Sequence, residues 1–289
     1  MFKIVRKENL NSSVCFLEIS APQISRAAEA GQFVVLRIDE SGERIPLTIY
    51  DFDRNSGTIS LVVQKTGKTT NKLCSLKKDD CLIDLAGPLG KAAELGNYKR
   101  VLFVGGGVGA AEVYPVARAF RKRGAVVTIV AGARTKDVLI LEKELRSLTN
   151  KLHITTDDGS YGRRGFVTDV VSEILKKESF DLIYAIGPLV MMQAAAKLTK
   201  PYAIKTRVSL NSIMVDGTGM CGTCRVTVGG EVKFTCVDGP EFDGHLVDFD
   251  ELMKRQTRFT KEEEISLRRF EGCAKRTGNE GTGSGKADK

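Results

Sequence analysis

The run Val101-Leu102-Phe103-Val104 passes directly into Gly105-Gly106-Gly107-Val108-Gly109-Ala110 and then into a helix-forming stretch. That junction constrains the fold more than any other feature of the chain. An apolar run this continuous suits a strand buried on both faces. Gly105, Gly107 and Ala110 fit the G-x-G-x-x-G/A pattern in its strand-to-helix context, where small residues let a phosphate approach the backbone and the helix N-terminus offers free N–H groups to its charge. The rhythm continues downstream. Val126–Val130, Leu152–Thr155 and Leu182–Ile186 read as further buried strands, with helices predicted over Ala110–Arg123, Val138–Leu148, Val167–Lys177 and Leu189–Leu198. Such βαβα alternation predicts a doubly wound parallel sheet over residues 99–205.

The residues before it have a different texture. Val14–Ile19, Gln32–Ile38, Ile45–Tyr50, Thr58–Gln64 and Cys81–Ala86 are short β-rich segments, divided by turn-forming stretches such as Asp53-Arg54-Asn55-Ser56-Gly57. Strands at this spacing predict a small antiparallel barrel over residues 1–98. One helix interrupts them near Thr69-Thr70-Asn71, whose side chains can cap exposed N–H groups.

Seven cysteines punctuate the chain, and only Cys221, Cys224 and Cys236 cluster. Met1 to Lys7 alternates like a strand and lacks the apolar core of a signal peptide. The expectation is therefore a cytoplasmic protein without a disulfide framework, in which clustered cysteines are metal or redox ligands. Cys15, Cys74 and Cys81 then read as small core residues. The cluster is Asp216-x4-Cys221-x2-Cys224-x11-Cys236. Plant-type [2Fe-2S] proteins space their ligands C-x4-C-x2-C with a distant fourth cysteine. Here that spacing is kept with aspartate in the first position. Structural zinc is the alternative, since zinc accepts thiolate and carboxylate alike.

The chain is 289 residues long, 42% hydrophobic and 28% charged, with a formal net charge of +8. No apolar run reaches the roughly 20 residues that span a bilayer, so no membrane association is expected. The positive charges are scattered and tryptophan is absent, which argues against nucleic acid and suits encounter with an acidic electron carrier. At the second strand end, the acidic ribose partner usual for NAD is missing. Arg134 stands there instead, either as a partner for a 2′-phosphate or as an ordinary loop arginine. Gly187-Pro188 follows the last buried strand, either as a ligand-side turn or as a plain strand-to-helix connection.

In this order, the three units resemble the ferredoxin–NADP reductase superfamily, and within it the electron-transfer subunits of the dihydroorotate dehydrogenase type. The segment Asp216-Gly217-Thr218-Gly219-Met220-Cys221-Gly222-Thr223-Cys224 is more similar still to the small subunits of NADH-dependent reduced ferredoxin:NADP oxidoreductases of the sulfide dehydrogenase type. The resemblance covers residues 1 to about 258. It implies FAD in the N-terminal unit, where Arg44-Ile45-Pro46-Leu47-Thr48 stands for the family's Arg-x-Tyr-Ser/Thr motif without its tyrosine and with Arg44 one residue further out. By the same resemblance Val62, Val63 and Gln64 line the flavin, while Thr69 and Thr70 bind its pyrophosphate. Gly105, Gly106, Gly107, Gly109, Gly187 and Pro188 bind NAD(H), with NADP(H) not excluded, and Asp216, Cys221, Cys224 and Cys236 hold a [2Fe-2S] cluster in a unit spanning residues 206–258.

No catalytic side chain is implied, because the flavin carries the chemistry. The implied activity is hydride exchange between NAD(H) and FAD, with single electrons relayed to a larger flavin and [4Fe-4S] subunit. Ferredoxin and NADP(H) would be reached through that partner, in a heterodimer performing flavin-based electron bifurcation. Two other readings are a dihydroorotate dehydrogenase electron-transfer subunit and a nucleotide-binding module with structural zinc. Residues 259–289 are expected as a helix and tail, with no order predicted from Gly272 onward.

Overall fold

The computed structural model describes residues 1–279, with side chains through residue 272. The N-terminal part holds strands β1 (Phe2–Asn9), β2 (Val14–Ser20), β3 (Phe33–Arg37), β4 (Ile45–Thr48), β5 (Asp51–Asp53), β6 (Thr58–Gln64), β7 (Cys81–Leu82) and β8 (Asp84–Leu89), with helices α1 (Pro22–Ala27) and α2 (Lys68–Ser75) between them. They form two antiparallel sheets, in the orders β5-β6-β2-β1-β7 and β4-β3-β8. Alternation along each strand decides which face a side chain takes. Leu17 and Ile19 of β2, Ile59, Leu61 and Val63 of β6, and Val34 and Leu36 of β3 all enter one shared core.

From Arg100 the chain builds β9 (Arg100–Gly106), α3 (Gly109–Lys122), β10 (Val126–Ala133), α4 (Glu142–Leu148), β11 (Leu152–Thr156), β12 (Arg163–Arg164), α5 (Val167–Leu175), β13 (Leu182–Ile186), α6 (Leu189–Thr199) and β14 (Lys205–Ser209). The sheet order is β12-β11-β10-β9-β13-β14-β17, where β17 is Glu241–Asp243. All neighbours are parallel except β14 and β17. Both faces are covered, as the apolar runs require. Val101 and Phe103 of β9 meet α3 and α4 on one side, through Val113, Phe120 and Leu145. Leu102 and Val104 meet α5 and α6 on the other, through Val171 and Met192. The strand order reverses beside β9, so the carboxyl ends of β9 and β13 face one crevice, where open α/β sheets bind ligands.

The hairpin β15 (Arg225–Val228) and β16 (Glu231–Phe234) follows, then β17, α7 (Phe249–Gln256) and α8 (Thr260–Asn279). Among the described residues no helix is long and apolar enough to cross a membrane.

Four expectations need correction. The helix predicted from Val138 begins at Glu142, because Leu141 adopts φ +58° and a single 3-10 turn occupies Lys136–Val138. Cys15 and Cys74 are core residues but are joined by a disulfide, with Cα atoms 5.9 Å apart where α2 covers the β2 face. Cys81 is exposed, since β7 is a two-residue edge strand. Residues 272–279 continue α8; extending an existing helix needs no new buried face. The remaining tail, 280–289, and the side chain of Cys273 lie outside the described residues.

Candidate functional site

A cavity of about 980 Å³ opens where the N-terminal sheets meet the parallel sheet. Its walls come from distant parts of the chain: Arg44 to Thr48 along β4, Val62 and Gln64 of β6, Thr66 and Thr70 at the start of α2, Val108, Ala111 and Glu112 at the nucleotide loop, and Ser209 to Val215 after β14. Glu262, Glu263 and Ser266 of α8 close the outer side.

Several predicted contacts sit on this cavity. Pro46, Leu47 and Thr48 present one edge of β4, and Thr48 Oγ1 donates to Glu112 Oε2 at 3.2 Å. Arg44 is at the rim, half-exposed and paired with Asp84 at 3.0 Å. At the start of α2, Thr70 Oγ1 accepts the N–H groups of Thr66 and Gly67 at 2.9 and 3.1 Å. This fastens the turn that leads into the helix.

Two expected contacts fall elsewhere. Val63 is fully buried in the N-terminal core, because adjacent residues of a strand face opposite sides and Val62 takes the cavity side. The Thr69 side chain is directed to the Glu43 carboxylate, to which it donates, and Thr69 does not line the cavity.

The nucleotide loop is built by close backbone approach. A Cβ at Gly109 would lie 2.3 Å from the Ile186 carbonyl oxygen, and one at Gly187 would lie 2.9 Å from that of Gly106. Gly105 packs against Ala110, and Gly106 against Pro188 and Met191. The two strand-end turns are thus in contact at the crevice, leaving Gly107 with φ +58° facing open space. Arg134 lies exposed just beyond β10, and its guanidinium makes no hydrogen bond or ion pair among the described residues.

The cysteine site is organised by the β15–β16 hairpin, which Cys224 immediately precedes and Cys236 closely follows. Thr235 donates to the Cys224 carbonyl from its amide at 3.1 Å and from its hydroxyl at 3.0 Å, locking the two ends together. The two sulfurs lie 3.2 Å apart and both residues are buried. Burial, reinforced by the adjacent Cys224 thiol, pushes Cys236 up to about 12. Two thiols so placed shed their protons together only when a cation balances the charge.

Asp216 and Cys221 stand at the other end of the glycine loop, at the surface. The Asp216 carboxylate accepts the N–H groups of Thr218 and Cys221, each at 2.9 Å, which hold it below the usual carboxylate range. The loop turns at Gly217, φ +76°, where a Cβ would lie 2.8 Å from Leu89 and 2.9 Å from Val35. Among the described residues, no three His, Cys, Asp or Glu side chains converge closely enough to hold a metal ion. The donor types, three thiols and an ionised carboxylate, suit an iron–sulfur centre.

The cavity and the cysteine site share a wall. Phe33 and Met214 line the cavity and also pack with Cys224 and Cys236. The C-terminal helix was expected but given no place at the cavity, and Glu112 and Met214 were not singled out from the sequence. Glu112 alone left a signal there, as an acid among the small and apolar residues Ala110, Ala111 and Val113 that open α3.

Residues 211–248 match the iron–sulfur cluster binding domain of dihydroorotate dehydrogenase B, and residues 103–197 match the oxidoreductase NAD-binding domain. A dihydroorotate dehydrogenase B (NAD(+)) electron transfer subunit homolog of Thermotoga maritima is 47% identical over 268 residues, covering 93% of this chain and 95% of the relative. The dihydroorotate dehydrogenase B (NAD(+)) electron transfer subunit of a Geobacillus species is 34% identical, covering 83% of this chain and 94% of its own. A chain of the solved NADH-dependent reduced ferredoxin–NADP oxidoreductase, studied for flavin-based electron bifurcation, is 46% identical with a TM-score of 0.89, over 93% of this chain and 98% of that one. Identity of this extent, joined to the NAD-binding and cluster-binding domains in one chain, means that this protein belongs to the family of dihydroorotate dehydrogenase B electron transfer subunits and their homologues, electron-transfer subunits of NAD-dependent oxidoreductases with a ferredoxin-reductase-like fold.

Proposed function

We propose that the chain is the electron-transfer subunit of a flavin-based electron-bifurcating NADH-dependent reduced ferredoxin:NADP oxidoreductase. In this reading residues 1–98 form a flavin barrel, 99–205 a doubly wound nucleotide domain, and 206–258 a [2Fe-2S] unit. The observation that carries the reading is the wall of Phe33 and Met214, which separates the cavity from the paired sulfurs of Cys224 and Cys236 by one layer of side chains. A cavity for a redox group and a ligand site for a metal cluster are adjacent in this way when electrons pass between them.

FAD bound in the cavity would supply the conversion between two-electron hydride exchange and one-electron transfer. The chain's own residues bind and orient. The N-terminus of α2, tied by Thr70, receives the pyrophosphate, since its free N–H groups favour an anion. Arg44 meets the same phosphates or the ribityl side from the rim. Pro46, Leu47 and Thr48 on β4 and Val62 and Gln64 on β6, all lining the cavity, would hold the flavin ring. Gly105, Gly106, Gly107, Gly109, Gly187 and Pro188 position the nicotinamide nucleotide at the crevice, with Arg134 near its ribose. Asp216, Cys221, Cys224 and Cys236 hold the cluster, Cys224 and Cys236 shielding it from water.

The larger partner subunit, carrying the second flavin, [4Fe-4S] clusters and the sites for ferredoxin and NADP(H), would receive the electrons at the exposed loop of Met220 and Cys221. A second reading is the electron-transfer subunit of a dihydroorotate dehydrogenase. It is favoured by the relatives at 34% identity that carry that description.

The test is a visible spectrum of anaerobically purified protein, with flavin, iron, sulfide and zinc analysis, followed by co-purification from the native cell. Flavin bands with iron and sulfide support electron transfer; zinc without colour overturns it. A partner that reduces NADP and ferredoxin supports the first reading, and one that oxidises dihydroorotate supports the second.

A further inference from the structure

Glu112 has no part in binding any of the groups above. It sits one turn into α3 and lines the cavity next to Val108 and Ala111, directly behind the nucleotide loop. Its carboxylate accepts a hydrogen bond from Thr48 of β4, a residue 64 positions away in the chain. The other charged groups on the cavity are engaged or remote. Arg44 pairs with Asp84, Glu43 accepts from Thr69 and lies near Lys68, and Glu262 and Glu263 belong to the outer helix α8.

The aromatic and charged side chains beside α3 are also occupied. Tyr50 stacks on Tyr114, and Arg118 forms a bidentate pair with Asp51. Burial pushes the Tyr50 hydroxyl upward, which keeps it protonated.

The electron-transfer reading leaves one proton unassigned. A hydride is one proton and two electrons. When the two electrons depart singly toward the cysteine site, the proton remains in the cavity and must be taken by a base.

We propose that Glu112 is that base: its carboxylate receives the proton across Thr48, forming an O–H bond, and later yields it to water in the cavity. In the reverse direction the protonated carboxyl supplies the same proton, so the balance closes without another reactant. The position suits the task, because Glu112 lines the cavity beside Val108 and Ala111 at the nucleotide loop, where the proposed nicotinamide site adjoins it.

Burial pushes the Glu112 carboxyl up to about 7, and the Thr48 hydrogen bond opposes that rise. A group titrating near neutrality can both take and release a proton at working pH.

This inference rests on the flavin reading, and the experiment separates the two. Flavin content is measured first in native protein and in Glu112→Gln; a native chain without flavin defeats the reading itself. On flavin-loaded protein, the native-minus-Glu112→Gln infrared difference should show a protonated carboxyl band that vanishes as pH rises through about 7; the Glu241 carboxyl, raised to a similar value, is common to both proteins and cancels. NADH-driven reduction of the cluster should slow in the variant by roughly 100-fold, the scale of general acid–base assistance, and lose its pH break near neutrality. Thr48→Val should move the native titration to higher pH, since it removes the donor that favours the carboxylate. If Glu112→Gln fails to fold, the shift of the carboxyl titration between native protein and Thr48→Val decides. A flavin-loaded protein whose titrating band responds to neither substitution overturns the proposal, as does a Glu112→Gln protein with the native rate and pH profile.

Discussion

Cys224 and Cys236, separated by one hairpin, hold their sulfurs 3.2 Å apart beneath a loop whose other two donors, Asp216 and Cys221, reach the surface. In the proposed cluster site the buried pair would be the anchor, and the loop would complete the ligand set. Replacing either Cys224 or Cys236 by Ser should abolish bound iron and the iron–sulfur absorbance. Flavin should be retained, because the polar residues proposed to bind it lie beside β4 and at the start of α2. Iron and flavin analysis on the same preparations checks this, and parallel loss of flavin would mean that the two sites fold as one.

Asp216 is held ionised by two backbone N–H groups of its own loop. Asp216→Ala removes both the acceptor and the proposed iron ligand, so iron content should fall by more than half. Asp216→Asn can still accept those N–H groups but cannot supply an anionic ligand. Equal iron loss in both variants assigns the carboxylate a ligand role, whereas loss only in the alanine variant assigns it a loop-forming role.

At the nucleotide crevice, two glycines should behave differently. Gly109→Ala forces a Cβ to 2.3 Å from the Ile186 oxygen, an overpacking cost of about 1–3 kcal/mol, so both thermal stability and NADH affinity should drop. Gly107 has φ +58° and open space ahead of it. Gly107→Ala should cost about 1–2 kcal/mol in backbone strain while weakening NADH binding more than proportionately. Thermal melts and NADH titrations of the two variants check the contrast.

The Arg44–Asp84 pair is largely exposed, and such pairs are worth about 0–1 kcal/mol. Arg44→Ala should leave the melting temperature of flavin-free protein almost unchanged and reduce FAD affinity. A melt and a flavin titration on the same variant check this. Unchanged FAD affinity would remove Arg44 from the binding site.

Glu241 is nearly enclosed. It accepts a hydrogen bond from Tyr184 and lies 4.0 Å from Arg207, while burial pushes its carboxyl up to about 7, with Tyr184 and Arg207 opposing and Glu94 assisting. Because the folded value exceeds the unfolded one, the associated stability is fully present below about pH 4.5 and is lost as pH rises through about 7. Each pKa unit of difference amounts to about 1.4 kcal/mol. Glu241→Gln should flatten that part of the stability–pH curve, and the native-minus-variant difference isolates it from the parallel contribution of Glu112. Denaturant melts from pH 4.5 to 8 provide the measurement.

Much of this architecture was legible before the tertiary structure. The strands Thr58–Gln64 and Leu182–Ile186 begin and end where the apolar runs do. The glycine loop stands between β9 and α3 at the crevice, because strand burial and helix initiation are local properties of the chain. The cysteine spacing belongs to the same class, since a loop that wraps one centre must bring its ligands from nearby positions.

What local pattern could not convey is which distant side chains meet. Val62 and Val63 are equivalent by composition, and only the packing of β6 decides that one faces the cavity and the other the core. Cys15 and Cys74 read as separate small residues until α2 covers β2.

By itself, then, the sequence determined the succession of antiparallel strands, parallel sheet and cysteine loop, together with the residue types able to hold phosphate and iron. Periodicity and short spacing encode these directly. Only the tertiary structure decided that Thr48 meets Glu112 and that Phe33 and Met214 form one wall with Cys224 and Cys236. Those contacts arise where separately folded surfaces dock, and their partners lie tens to hundreds of positions apart, beyond the reach of any local period.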